Sequence, residues 1–252
     1  MDRWHGKLAI VTGASSGIGY AISEELVKKG LQVVGLARRV DRVEALARTL
    51  EGQPGKLHAR KTDITKESEL LESLKWAAEK FGVAHILINN AGVARPVDLI
   101  TGSSEDFRLV IETNLISVAI GTREVVQKML EGKVEGHILN INSICGHYVP
   151  MLPLNNMYPA SKHAITGFTE TLRQELFQRG SKIKVTSVSP GYVKTEIGSA
   201  NGFFDLKEIK ELEESAPYLE SKDVADAVIY VLGTPQHVQV TELTIRPTGE
   251  PV

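Results

Sequence analysis

The stretch Lys7-Leu-Ala-Ile-Val-Thr12-Gly13-Ala-Ser15-Ser16-Gly17-Ile18-Gly19 decides the fold. Its first half is a short apolar run predicted as a buried strand. Residues 18–29 carry a helical pattern that stops at Gly30. Glycines between strand and helix permit a tight turn and let a phosphate approach the backbone. The helix N-terminus adds free N–H groups and a positive dipole end. The spacing is Gly-x-x-x-Gly-x-Gly rather than Gly-x-Gly-x-x-Gly, but the physical task is the same. Such a turn by itself can be a plain loop; in a chain that keeps alternating strand and helix it points to a dinucleotide phosphate site.

The alternation does continue. Strands are predicted at residues 32–37, 57–62, 85–88, 136–142, 182–189 and 239–245, with helices at 41–50, 67–81, 104–130 and 158–178. Short apolar strands separated by helices mean an α/β fold, a parallel sheet covered on both faces. No internal repeat or low-complexity linker divides the chain, so residues 1–252 read as a single domain. A net charge of −2 gives no electrostatic footprint for nucleic acid. The single cysteine, Cys145, excludes an internal disulfide and a multi-cysteine metal site, and no metal is expected. No signal-peptide core or run of about 18 apolar residues is visible, so the expectation is a soluble cytoplasmic protein without a membrane span.

The chemistry concentrates between Ser143 and Lys162. Tyr158 and Lys162, four apart at the start of a helix, lie on one helical face. A free phenol titrates near pH ~10, too high for a base at neutral pH. A neighbouring ammonium favours the phenolate, so the pair is a candidate proton donor and acceptor for a carbonyl/alcohol interconversion. Ser143, at the end of the run His137-Ile-Leu-Asn-Ile-Asn-Ser143, supplies a hydroxyl for the same substrate oxygen.

Cofactor choice is read at the end of the second strand. A plain adenosine ribose is usually met there by an acid, whereas this chain has Ala37-Arg38-Arg39. A guanidinium can grip a 2′-phosphate in a charge-assisted contact, so the expected cofactor is NADP(H); the alternative is a solvated basic turn that includes Arg42. Ser15 and Ser16 add no second cation in the glycine turn, and either arginine can be the one in contact. Asp63 and Ile64 are placed to hold the adenine edge, unless Asp63 merely caps the next helix. Asn89-Asn90-Ala91-Gly92 is a small turn able to pass close to a ribose, or an ordinary strand end.

Taken together, Thr12-Gly13-x-x-x-Gly17-x-Gly19, Asn89-Asn90-Ala91-Gly92, Asn114, Ser143, Tyr158-x-x-x-Lys162 and Pro190-Gly191 resemble the short-chain dehydrogenase/reductase family, over about residues 7–195. The resemblance implies a Rossmann-type, doubly wound, seven-stranded sheet in the order 3-2-1-4-5-6-7 and a catalytic tetrad of Asn114, Ser143, Tyr158 and Lys162. In that scheme Asn114 binds a water linking Lys162 to solvent, and Lys162 lowers the Tyr158 pKa and holds the nicotinamide ribose. Pro190, Gly191, Val193 and Thr195 flank the nicotinamide, with Thr195 bonding its carboxamide or a phosphate. The spacer from Ser143 to Tyr158 is longer than is common, and the last strand runs into Arg246-Pro-Thr-Gly-Glu250 without a glycine-rich finish. Both traits resemble the farnesol dehydrogenase-like or steroid 17β-ketoreductase-like subgroup.

That likeness implies an NADP(H)-dependent oxidoreductase for a lipophilic alcohol, an isoprenoid or a steroid, and its carbonyl. The alternatives are a broad-specificity carbonyl reductase and a non-catalytic NADP(H) sensor. The segment 196–220 is read as a substrate lid or, more plainly, an amphipathic helix on the sheet edge. Phe107, Val110, Ile111, Val118, Val125 and Met129 on helix 104–130, with Phe168, Leu172 and Leu176 on helix 158–178, are too many apolar positions to assign all of them to packing against the sheet. A homodimer or homotetramer is therefore expected, as in related proteins.

Overall fold

The computed structural model describes residues 1–151, 154, 156–197 and 216–250. Seven parallel strands form one sheet: β1 (Leu8–Thr12), β2 (Gln32–Ala37), β3 (Lys56–Lys61), β4 (Ile86–Asn89), β5 (His137–Ile141), β6 (Lys184–Pro190) and β7 (Glu242–Ile245). Their order is β3-β2-β1-β4-β5-β6-β7, as the family resemblance implies. The helices are α1 (Gly17–Lys28), α2 (Val40–Thr49), α3 (Glu67–Phe81), α4 (Ser104–Ile111), α5 (Ser117–Glu131), α6 (Tyr158–Gln178) and α7 (Ser221–Gly233).

The two faces of the sheet can be read off alternate residues of each strand. Ala9, Val11, Val33, Ile88 and Leu139 pack with Ile22, Leu26, Val43, Val224 and Val228 of α1, α2 and α7. Leu8, Ile10, Val34, Leu87 and Ile138 pack with Leu70, Leu74, Val125, Met129 and Leu176 of α3, α5 and α6. β1, β2 and β4, buried on both faces, leave little room for polar alternation, which is why they appear in the sequence as apolar runs. Strand order reverses between β1 and β4, and the crevice beyond their C-terminal ends is where a doubly wound sheet binds its ligand.

Two predicted elements differ, and one helix was not predicted. The helix expected over 104–130 is interrupted by a π-helical turn at Glu112–Ile116, so α4 and α5 are separate α-helical pieces. Strand β7 begins only at Glu242; residues 239–241 run beside β6 through bonds such as Thr186 Oγ1 to the Val240 carbonyl (2.6 Å) and Gln239 Nε2 to the Val185 carbonyl (3.1 Å). Helix α7, absent from the predicted elements, opens on a capping box between Glu220 and Asp223 and buries Val224, Val228, Val231 and Leu232. The spacing of those apolar residues was the available signal. Most of the expected lid, residues 198–215, lies outside the described residues. Among the described residues no helix is long and apolar enough to cross a membrane.

Candidate active site

At the switch point, Thr12 and Asn90 tie the ends of β1 and β4 together. Thr12 Oγ1 accepts the backbone N–H groups of Asn90 (3.0 Å) and Ala91 (3.1 Å), and Asn90 Nδ2 donates to the Thr12 carbonyl at 2.9 Å. The glycine turn packs onto this knot. Gly13 has φ +70°, and a Cβ there would lie 2.9 Å from the Ala91 Cα; at Gly19 it would lie 2.3 Å from Asn90 Nδ2. Gly19 therefore serves the close packing of α1 against the knot. The turn opens into a cleft of about 430 Å³ lined by Gly13, Ser15, Ser16, Gly17 and Ile18. A backbone cradle at a helix N-terminus, at the sheet switch point, fits the diphosphate of a nicotinamide dinucleotide.

The cleft runs from Arg38, Arg39, Asp63 and Ile64 at one end, past Asn90, Ala91 and Gly92, to Tyr158, Lys162 and Thr195 at the other. At the first end Arg39 Nη2 donates to Ser16 Oγ at 2.8 Å and Nη1 pairs with Glu196 at 3.1 Å. Arg38 is exposed and makes no hydrogen bond or ion pair among the described residues. Asp63 does not cap α3, whose N-cap is Lys66; its Oδ1 instead accepts both the backbone N–H (3.1 Å) and the hydroxyl (2.7 Å) of Thr65 in the turn before the helix. Gly191 and Val193 stand outside the cleft lining. Tyr192 N–H between them donates to Glu250 Oε1 at 2.7 Å, and Val193 is bridged to Leu219.

At the second end the groups are buried. Helix α6 starts at Tyr158 with Pro159 in its first turn, where a missing N–H costs nothing. Lys162 Nζ donates to the Ile141 carbonyl at 2.9 Å and lies 5.6 Å from the centroid of the Tyr158 ring. Ser143 caps the short 3-10 turn Ile144–Gly146, accepting the Cys145 N–H at 3.1 Å, and bonds the Tyr158 phenol. Burial lowers the Lys162 ammonium to about 8, with the Cys145 thiol working the other way. Burial and the Cys145 thiol push the Tyr158 phenol above its usual value, which the Ser143 bond does not overcome. The expected lowering by Lys162 is thus not realised, because removing a phenolate from water costs more than its neighbours return. Tyr158 rests as a neutral donor.

Asn114 sits in the π-helical turn, a feature that often marks functional sites. Its Nδ2 donates to the Val93 carbonyl (2.9 Å) and to Ser161 Oγ (3.0 Å), while its Oδ1 accepts the Val93 N–H (2.8 Å). The side chain thus pins the loop after β4 to the tetrad helix, with both amide hydrogens committed. Thr65, Val93, Thr113, Ile141, Asn142 and Glu196 also line the cleft and were not anticipated. Small and apolar residues at strand ends carry no chemical pattern, and Glu196 gains its place through contacts with residues far away in the sequence, Arg39 and Arg42 among them.

The short chain dehydrogenase family matches residues 7–202. The chain is 51% identical to a farnesol dehydrogenase of Aedes aegypti over 99% of both chains. It is 43% identical to dehydrogenase/reductase SDR family member 11 of Bos taurus, again over 99% of both. Among solved structures, the closed form of a serine dehydrogenase complexed with NADP+ superposes with a TM-score of 0.87 at 29% identity, covering 97% of this chain and 96% of that one. With the glycine cradle, the sheet order, and Tyr158 and Lys162 in one cleft, these likenesses show that the chain belongs to the short-chain dehydrogenase family of oxidoreductases.

Proposed function

We propose that this is an NADP(H)-dependent enzyme, built as one domain over residues 1–252, that interconverts a lipophilic alcohol and its aldehyde or ketone. The observation that carries the reading is the composition of the cleft. Its one end presents guanidinium groups after Ala37, where an acid would serve plain NAD(H), and its other end presents Tyr158 beside Ser143 and Lys162. A bound nicotinamide would supply or take the hydride at the substrate carbon. Tyr158, kept neutral by burial, gives its proton to the carbonyl oxygen in reduction and takes one from the alcohol in oxidation. Ser143 donates to the same oxygen as charge develops there. Lys162, buried against Ile141, holds a positive charge near the phenol and is placed to bond a ribose hydroxyl. Asn114 positions the wall formed by Val93.

The exposed apolar side chains Leu99 and Ile100, after β4, and Val149 and Met151, after β5, support a lipophilic substrate. The two loops are neighbours, joined by a bond from Asn156 Nδ2 to the Arg95 carbonyl at 2.9 Å. An isoprenoid such as farnesol or a steroid has the apolar surface such a rim would cover. Phe107, Ile111, Phe168 and Leu172 remain half-buried on α4 and α6, which supports pairing of these helices with a second copy. The test is NADPH consumption with isoprenoid aldehydes, ketosteroids and short polar carbonyls, and NADP+ reduction with the matching alcohols. Turnover of the polar carbonyls alone would overturn the lipophilic assignment; no turnover with any of them would favour the sensor.

A further inference from the structure

Glu196 follows Thr195 on the segment that leaves β6, yet its carboxylate lies across the cleft beside the end of β2. Both carboxylate oxygens accept from Arg42 Nη1, at 2.8 and 2.7 Å, and Oε2 also accepts from Arg39 Nη1 at 3.1 Å. The second arm of Arg39 donates to Ser16 Oγ in the glycine turn at 2.8 Å. An anion from the nicotinamide side of the cleft thus fills the guanidinium cluster at the adenosine side. The same segment closes over the phosphate cradle, since a Cβ on Gly17 would lie 3.2 Å from Thr195 Cγ2.

A 2′-phosphate carries a charge of about −1.5 to −2 and seeks the same paired N–H donors. It cannot share them with a carboxylate without like-charge repulsion. Although partial burial works against the charge, the bonds from Arg42 and Arg39 hold the Glu196 carboxyl below its usual range, so it is ionised at neutral pH. The side chains of Arg39, Arg42 and Glu196 are 42%, 43% and 47% exposed, so the pairs are solvent-screened and cheap to break.

We propose that Glu196 is a built-in stand-in for the cofactor's 2′-phosphate, held by Arg39 and Arg42 in the free enzyme and exchanged for the phosphate when NADP(H) binds. The exchange rests on the NADP(H) reading above. It makes Glu196 a determinant of cofactor specificity, because the carboxylate competes with NADP(H) and has nothing to compete with in NAD(H). It also couples the phosphate to the segment 195–197, whose tie to the β2 end is released only by the phosphorylated cofactor.

The test is fluorescence titration of wild type and Glu196→Gln with NADPH and NADH, with 2′,5′-ADP and 5′-AMP as displacing fragments. The variant should bind NADPH and 2′,5′-ADP about three- to tenfold more tightly, the scale of relieving a screened ion pair, and NADH and 5′-AMP within about twofold of wild type. Wild-type preference for NADPH that Glu196→Gln leaves unchanged overturns the exchange and spares the NADP(H) reading. Equal binding of both cofactors by both proteins overturns the two together. Weaker NADH binding by the variant would assign the carboxylate to the ribose hydroxyls and also overturn the exchange.

Discussion

The two ends of the cleft hold charge in opposite ways. At the adenosine end, Arg38, Arg39, Arg42 and Glu196 are exposed, and Arg39 and Arg42 pair with Glu196 through water-accessible contacts. At the catalytic end, Lys162 is 6% exposed and Ser143 8%, with Lys162 Nζ held by the Ile141 carbonyl and Ser143 Oγ by the Cys145 N–H. In the open end the contacts are screened by water, weak and replaceable, which suits a group proposed to accept or reject one phosphate. In the buried end desolvation reshapes the titration itself, lowering Lys162 and raising Tyr158. Recognition is tuned at the first end by swapping side chains, and chemistry at the second by burying them.

The largest effect should come from the buried end. Tyr158→Phe removes only the hydroxyl and should cut kcat by ~10²–10⁴-fold, the range of a lost general acid, while NADPH binding changes little. Retention of more than about a tenth of wild-type kcat, less than ~1.4 kcal/mol in the barrier, would remove Tyr158 from the reaction.

At the open end the expected effect is a change of preference. Ala37→Asp with Arg38→Ile adds repulsion for a 2′-phosphate and removes a cation, and should shift the NADPH-to-NADH ratio of kcat/KM by about ten- to a hundredfold. An unchanged ratio would leave recognition to Arg39 and Arg42 alone.

A third experiment contrasts the ends by pH. Lys162 is protonated below about 8 and loses its charge above it. For carbonyl reduction, kcat/KM should therefore be level below that pH and fall as pH rises through it, by about tenfold per unit once the neutral form dominates. The fall should vanish in whatever activity Lys162→Arg retains, since a guanidinium stays charged throughout. An alkaline limb that persists in this variant would assign it to another group.

The smallest effect concerns salt. With a Debye length of ~10 Å at 0.1 M and ~3 Å at 1 M, contacts at the exposed arginines should weaken severalfold over that range. NADPH affinity should follow them, and kcat, measured at saturating cofactor, should not. Parallel loss of both would mean that the two ends are less independent than their burial implies.

Much of this protein is legible in its residues. The strand–glycine turn–helix at 7–29, the alternation of apolar runs and the family motifs led to a doubly wound sheet in the observed order. They also led to a cleft that gathers Gly13, Ser16, Arg39, Asn90, Tyr158 and Lys162. These features are local: strand periodicity, turn chemistry and side-chain type act over a few neighbouring residues, so they survive in a linear string. What only the tertiary structure decided depends on contacts between distant segments. The π-helical turn that aims Asn114 at Val93 and Ser161 cannot be told from helix by composition. The neutral resting state of Tyr158 comes from the desolvation of a packed pocket, a sum over every surrounding atom that the Tyr-x-x-x-Lys spacing does not contain. Glu196 is the clearest case. In the sequence it is one acid after Thr195, and only folding carries it across the cleft to Arg39 and Arg42, where an ion pair depends on distance in space rather than along the chain.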